Sequence, residues 1–286
     1  MTISLGTVEV EIATNAGPRI LGFRRPGGPD LFARLGDAGI DEPDVGRFRF
    51  LGGHRLWRAP EIPSITYQPD GAAVEIEHTD IAVAVTGASD GDGIVKRLVL
   101  TAVGERVMVQ HVLEHAGAQP VEVAPWAITQ MVPGGIAYLP FGRGVFDEEA
   151  VLPDRRLVVW PYTDLDAPEL DLSGTVISIH SSLRPVKLKI GTENSRGWIA
   201  YHLGDALFVK WAPIQSEGST YADKGAAVQC YRDERFLELE TLGPLGLLEP
   251  GASVTHTETW QLMDVGSDDV RSVLQQLPTD PEGAPS

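Results

Sequence analysis

Cysteine, positive charge and long apolar runs are all scarce in this sequence, and each shortage closes a class of function. One cysteine, Cys230, in 286 residues excludes an intramolecular disulfide framework and a cysteine-rich zinc site; between strand-like neighbours it reads as a buried, inert thiol. Lys and Arg total 23 against 40 Asp and Glu, a net charge of −17. Such a surface repels phosphate backbones and anionic headgroups, so neither nucleic acid nor a membrane surface is an expected partner. A local basic pocket could still hold an anion, so a phosphorylated small molecule stays open. No stretch approaches the ~20 apolar residues of a membrane span. Residues 1–9 lack the basic start and apolar core of a signal peptide, and the expected location is the cytoplasm.

Familiar chemical signatures are missing too. No phosphate-cradling glycine loop with a following Lys-Ser or Lys-Thr occurs, no dinucleotide fingerprint in a βαβ setting, and no Gly-x-Ser-x-Gly elbow. Asp90 and Asp92 suggest the start of a calcium loop, but no terminal Glu sits at the required spacing, so the segment reads as a hairpin turn. His54 and Glu61 match no metal spacing. Neither a metal nor a cofactor is expected.

What is present is strand. Hydrophobic residues make up 43% of the chain, with 31 glycines and 21 prolines, enough for a sizeable core with many turns. Val8, Val10 and Ile12 alternate with Glu9 and Glu11, the period of a half-buried strand. Similar patterns predict strands at 19–24, 74–78, 81–85, 94–103, 106–113, 121–131, 198–202, 206–211, 226–231, 236–241 and 254–262. Residues 141–174, richer in Pro, Asp and Arg, read as a surface excursion. One helix is expected near the end, with Ser267 as its N-cap, Asp268 and Asp269 in its first turn, and Val270, Leu274 and Leu277 on one face. Many short strands without βαβ alternation imply an all-β fold, a single domain over 1–278 with a disordered tail at 279–286.

Four polar clusters could carry chemistry. Gly52-Gly53-His54-Arg55-Leu56-Trp57-Arg58-Ala59-Pro60-Glu61 packs a His, two Arg, a Trp and a Glu behind two glycines. That mixture suits a sugar, whose C–H patches lie on aromatic faces and whose hydroxyls need charged and amide groups. The alternative is a loop whose Trp57 anchors in the core and whose arginines are solvated. In the second cluster Glu238 and Glu240 share one strand face, about 7 Å apart, so one can serve as general base while the other binds hydroxyls; a solvated strand face is the competing reading. Trp126, Thr129 and Gln130 form a third set, equally at home in a core strand. Asp223 sits in a polar turn, and His202 and Lys210 lie on successive strands.

Together these residues resemble the galactose mutarotase-like (aldose 1-epimerase) superfamily, most closely a bacterial branch catalogued as a domain of unknown function. Gly-Gly-His-x-Leu-Trp with a following Pro-acidic step (Gly52 to Glu61) and Glu-x-Glu-Thr-Leu-Gly-Pro (Glu238 to Pro244) carry the likeness. Leu-x-Pro-Gly (Leu248 to Gly251), Gly17-Pro18-Arg19-Ile20 and the Trp260-x-Leu262 ending fit as well. The resemblance implies a supersandwich of antiparallel sheets with a concave sugar-binding face and one short C-terminal helix. It implies proton transfer by Glu240 as base, with the acid supplied by His54 or His202, because Thr129 stands where relatives carry the acid histidine. Substrate contacts would come from Arg55, Trp57, Arg58, Glu61, Trp126, Thr129, Gln130, Lys210, Asp223 and Glu238. The expected partner is a small-molecule carbohydrate, and the expected assembly a monomer or homodimer. A non-catalytic carbohydrate-binding protein, or another isomerase or lyase on the same scaffold, are the alternatives.

Overall fold

The computed structural model describes residues 1–142, 153, 155–182, 184–212, 218–266 and 269–281. Two large antiparallel sheets account for most of them. The first runs from edge to edge as Thr2–Leu5, Val8–Ile12, Arg19–Arg24, Gly46–Ala59, Val121–Met131, Leu237–Leu242, Val228–Arg232, Leu188–Thr192 and Val158–Val159. Arg34–Glu42 also pairs with Gly46–Ala59, and Gly246–Leu248 with Val121–Met131. The second runs Leu170–Asp171, Val176–His180, Ile136–Pro140, Trp198–Leu203, Ala206–Trp211, Ser253–Asp264, Arg106–His115, Ile94–Val103, Ala82–Ser89 and Glu75–His78. Every strand expected from alternation lies in one of these ladders, because period-two patterning leaves an apolar row that only a partner sheet can cover. The all-β supersandwich expected from the sequence is the fold observed.

Apolar residues from both sheets, among them Ile12, Leu56, Leu98, Val109, Leu239 and Trp260, form the main core between the layers. Phe48, Phe50, Trp57, Trp126, Ile128 and Leu242 form a second cluster on the other face of the first sheet. A third, with Trp198 and Trp211 at its centre, is closed by the helix Val270–Gln276 through Leu274. That helix is capped by Asp269, whose carboxylate accepts from the Arg271 backbone N–H. Ser267 and Asp268, expected at its start, lie outside the described residues, as do 282–286 of the tail and residues 143–152 and 154 of the 141–174 excursion. No helix among the described residues is long and apolar enough to cross a membrane.

Several strands escaped the pattern, and two of them matter for the site. Leu188–Thr192 hides in the alternation of Lys187, Leu188, Lys189 and Ile190. Gly46–Ala59 is the longest strand, and its side-chain parity breaks midway. Leu51, Gly52 and Gly53 all have positive φ (56, 92 and 71°), and register slips against Arg34–Glu42 at the same place. Phe48 and Phe50 therefore share a face with Trp57 and Ala59, although even and odd positions of an unbroken strand would point apart. Glycine is required at this bend: a Cβ on Gly52 would lie 1.9 Å from Ala33 O, and one on Gly53 2.2 Å from Ile20 O.

Candidate functional site

Downstream of the bend, three adjacent strands turn polar side chains alternately to either side of the first sheet. Arg55 and Trp57, Trp126 and Gln130, and Glu238 and Glu240 point outward. His54, Thr129 and Thr241 point into the core. Register explains the assembly. Gly53, Gln130, Glu238, Tyr231 and Lys189 form one cross-strand row, and Arg55, Ile128, Glu240 and Gln229 another.

The outward face bounds a cavity of about 150 Å³. Its wall includes Arg55, Trp57, Glu61, Trp126, Lys189 and Glu238. Arg55 donates through Nη2 to Glu238 Oε1 at 2.9 Å and stacks 4.0 Å from the Trp57 ring centre. Gln130 donates to the same Glu238 oxygen at 3.0 Å. Glu61 accepts from the Tyr67 hydroxyl. Glu240 lies fully buried just behind this wall. Its Oε2 accepts from Lys189 Nζ and from Trp126 Nε1, both at 2.8 Å. Burial raises the Glu240 carboxyl to about 7, helped by Glu238 and opposed by Lys189. Lys189 lines the cavity and touches Glu240, so it connects the two; its ammonium also sits 4.8 Å from the ring centres of Trp126 and Trp160.

Four buried polar atoms here have no protein partner: Arg55 Nε and Nη1, Gln130 Oε1 and Glu240 Oε1. Two donate and two accept. The cavity cations, by contrast, are matched: Arg55 with Glu238, Lys189 with Glu240, and Arg235 with Asp233 at 2.6 Å.

On the reverse face a second polar group fills the core. Lys210 Nζ lies 2.8 Å from Glu258 Oε1 and 3.1 Å from Thr129 Oγ1. His54 bridges Thr129 through Nδ1 at 2.9 Å and His111 through Nε2 at 2.8 Å, and His111 Nδ1 meets the His256 carbonyl at 3.0 Å. A carbonyl only accepts, so His111 carries its proton on Nδ1, and its Nε2 receives the His54 Nε2–H. His54 Nδ1 then accepts from the Thr129 hydroxyl, which accepts from Lys210. Thr241 donates to Glu258 and accepts from His256 Nε2, while Trp260 Nε1 donates to Glu258 at 2.6 Å. All three imidazoles are neutral in this chain. Burial lowers each of them, with His256 falling to about 3. Glu258 is held at about 2: burial opposes its ionisation, but the Lys210 ammonium outweighs that, joined by His111 and His256 once acid protonates them.

His54, His111 and Glu258 bring three ligand-type atoms within 4.8 Å of one another. A divalent ion does not fit them. It would replace the proton between the imidazoles and share Glu258 with an ammonium already 2.8 Å away, burying excess positive charge.

Of the residues singled out from the sequence, Arg55, Trp57, Glu61, Trp126 and Glu238 line the cavity, with Gln130 and Glu240 behind it. Neither histidine reaches that face. His54 and Thr129 point into the core with Lys210, and His202 belongs to the second sheet, paired with Leu207 and Ile136. Arg58 is engaged by Asp90 and Asp92 of the hairpin turn, and Asp223 Oδ2 accepts from Gln229 Nε2 at 2.7 Å. Sequence reasoning missed Lys189; only the 187–190 alternation could have placed it on a strand.

A scan of protein-family models finds none that matches, and a search of curated proteins returns none. Solved structures do match. A galactose mutarotase-like protein from Lactobacillus casei is 9% identical, with a TM-score of 0.55 over 92% of this chain and 99% of its own. A galactose mutarotase related enzyme from Lactobacillus acidophilus is 8% identical, with a TM-score of 0.54 over 94% and 98%. A TPR-domain containing protein from Parabacteroides distasonis is 14% identical, with a TM-score of 0.65; all of this chain covers 49% of that one. At these identities the likeness is one of fold: the chain has the galactose mutarotase-like supersandwich.

Proposed function

We propose that the outward face binds one sugar ring and interconverts its anomers, with Glu240 as the base and Lys189 as the acid. The carrying observation is the Lys189–Glu240 pair at the cavity wall, whose carboxyl is raised to about 7, where a general base works best at neutral pH. Mutarotation moves one proton from the anomeric hydroxyl to the ring oxygen as the C1–O5 bond breaks and C1=O forms. Glu240 Oε1, free of protein partners, receives the first proton, and the Lys189 ammonium supplies the second. Reclosure on the other face of C1 reverses both transfers, so no cofactor is consumed.

The unpaired atoms support a hydroxyl-rich ligand. Each hydroxyl both donates and accepts, which answers two donors on Arg55 and two acceptors on Gln130 and Glu240. A cavity of about 150 Å³ equals roughly five waters at ~30 Å³ each, the scale of a single ring. Trp126 and Lys189 line the cavity and both hold Oε2 of the buried Glu240, so the ring reaches Oε1 when one of them shifts, and Trp126 fluorescence should change on binding. The motifs at Gly52 to Glu61 and Glu238 to Gly251 are the basis for placing the chain in the bacterial branch named above.

NMR exchange spectroscopy of anomer interconversion over a panel of aldoses and their phosphates tests the reading. Wild type accelerates exchange for at least one sugar, and Glu240→Gln and Lys189→Met each lose about 10²–10⁴-fold. A second reading, sugar binding without catalysis, draws on the fact that no described histidine reaches this face. Saturable binding with no acceleration for any sugar would select it.

A further inference from the structure

Between Glu238 and Glu240 on the same strand lies Leu239, and its carbonyl is gripped from the opposite sheet. Leu239 belongs to the cross-strand row His54, Thr129, Leu239, Cys230 and Ile190. That row runs between the two rows that supply the outward face, and its side chains point into the core. Lys210 reaches it from Ala206–Trp211 in the second sheet. Its ammonium has three N–H groups and three acceptors: Glu258 Oε1 at 2.8 Å, Thr129 Oγ1 at 3.1 Å and Leu239 O at 3.3 Å. Two of the three are a register pair on neighbouring strands. A fully buried lysine is costly, and an apolar residue would fill the same space between the sheets without that cost.

We propose that Lys210 is a positioning residue for the outward face: anchored on Glu258, it clamps Thr129 to Leu239 and so sets how Glu238 and Glu240 stand relative to Gln130 and Arg55. Its use in catalysis rests on the sugar-isomerase reading; the clamp itself does not. A strand is stiff over one residue, so a shift at the Leu239 peptide is passed to the side chains on either side of it. Glu258 is paired with Lys210, His54 and His111 are hydrogen-bonded beyond Thr129, and His256 closes the network through Thr241. These groups hold the clamp in the core, away from the cavity.

Two indoles report the test. Trp260 Nε1 is bonded to Glu258 and Trp126 Nε1 to Glu240, so they read the network and the outward face separately. The double variant Lys210→Met with Glu258→Gln leaves no lone buried charge and is compared with Lys210→Arg by ¹⁵N NMR and by a ¹³C titration of the Glu240 carboxyl. The proposal expects the Trp260 resonance to move, the Trp126 resonance to move with it, and the Glu240 midpoint to shift by about half a unit or more. Lys210→Arg should restore Trp126 toward its wild-type position. A displaced Trp260 beside an unchanged Trp126 and an unchanged Glu240 titration would overturn it. Should the double variant fail to fold, Thr129→Val removes one leg of the clamp while sparing the Lys210–Glu258 pair, and a Trp126 resonance unmoved in that variant overturns the proposal equally. None of these readouts needs sugar, so a face that binds none leaves the clamp test standing.

Discussion

Opposite fates of buried ionisable groups define this protein at the scale of single residues. Burial lowers the pKa of three imidazoles and raises that of one carboxyl, and these shifts make stability depend on pH. His54, His111 and His256 have folded pKa values below the ordinary 6.5, so what they contribute is present above that value and lost as pH falls below it. Glu258, near 2, adds a further loss on passing downward from its ordinary 4.5. Glu240 acts the other way: its contribution is present below 4.5 and lost as pH rises toward 7. Between 4.5 and 6.5 three groups oppose one, and each is worth up to about 1.4 kcal/mol per pH unit. The urea midpoint should therefore fall between about pH 6.5 and about pH 4.5, and His256→Gln should flatten the decline. A midpoint that holds or rises on acidification would contradict the neutral assignment. The carboxylate strand was legible as a motif, but that no described imidazole shares its face was not. Alternation says that His54 and Arg55 part ways; it does not say which side is core.

At the scale of elements, the bend in Gly46–Ala59 decides what the outward face contains. Leu51 to Gly53 reverses the parity of the strand, and the backbone of two neighbouring segments leaves no room for a side chain there. Gly53→Ala should cost at least about 2 kcal/mol, seen as a lowered Tm; a wild-type Tm would mean that the neighbouring backbone yields. The double glycine was visible in the sequence, whereas the parity change it brings was not, since it depends on where Arg34–Glu42 pairs. The C-terminal helix is the converse case. Its apolar stripe was readable, and its Leu274 and Leu277 are buried in the cluster of Trp198 and Trp211. Leu274→Ala should cost about 2–5 kcal/mol by leaving a cavity, measured by denaturant unfolding.

For the whole molecule, charge and shape act together. A net charge of −17 disfavours anions approaching from solution, and each cavity cation is already matched by a carboxylate. Binding of an uncharged sugar should accordingly be nearly indifferent to ionic strength by calorimetry, because no long-range attraction is being screened. A steep loss of affinity with added salt would point instead to an anionic ligand. The sequence by itself determined the all-β class, the positions of most strands, and the carboxylate and glycine motifs. Those properties are local: a period of two, a turn residue or a cluster of polar types needs no partner to be recognised. Only the tertiary structure decided that Lys189 joins Glu240, that His54, Thr129 and Lys210 belong to the core, and that Arg58 is engaged by a hairpin. Each of these depends on register between strands far apart in the chain, and a one-residue change of register moves every side chain to the opposite face.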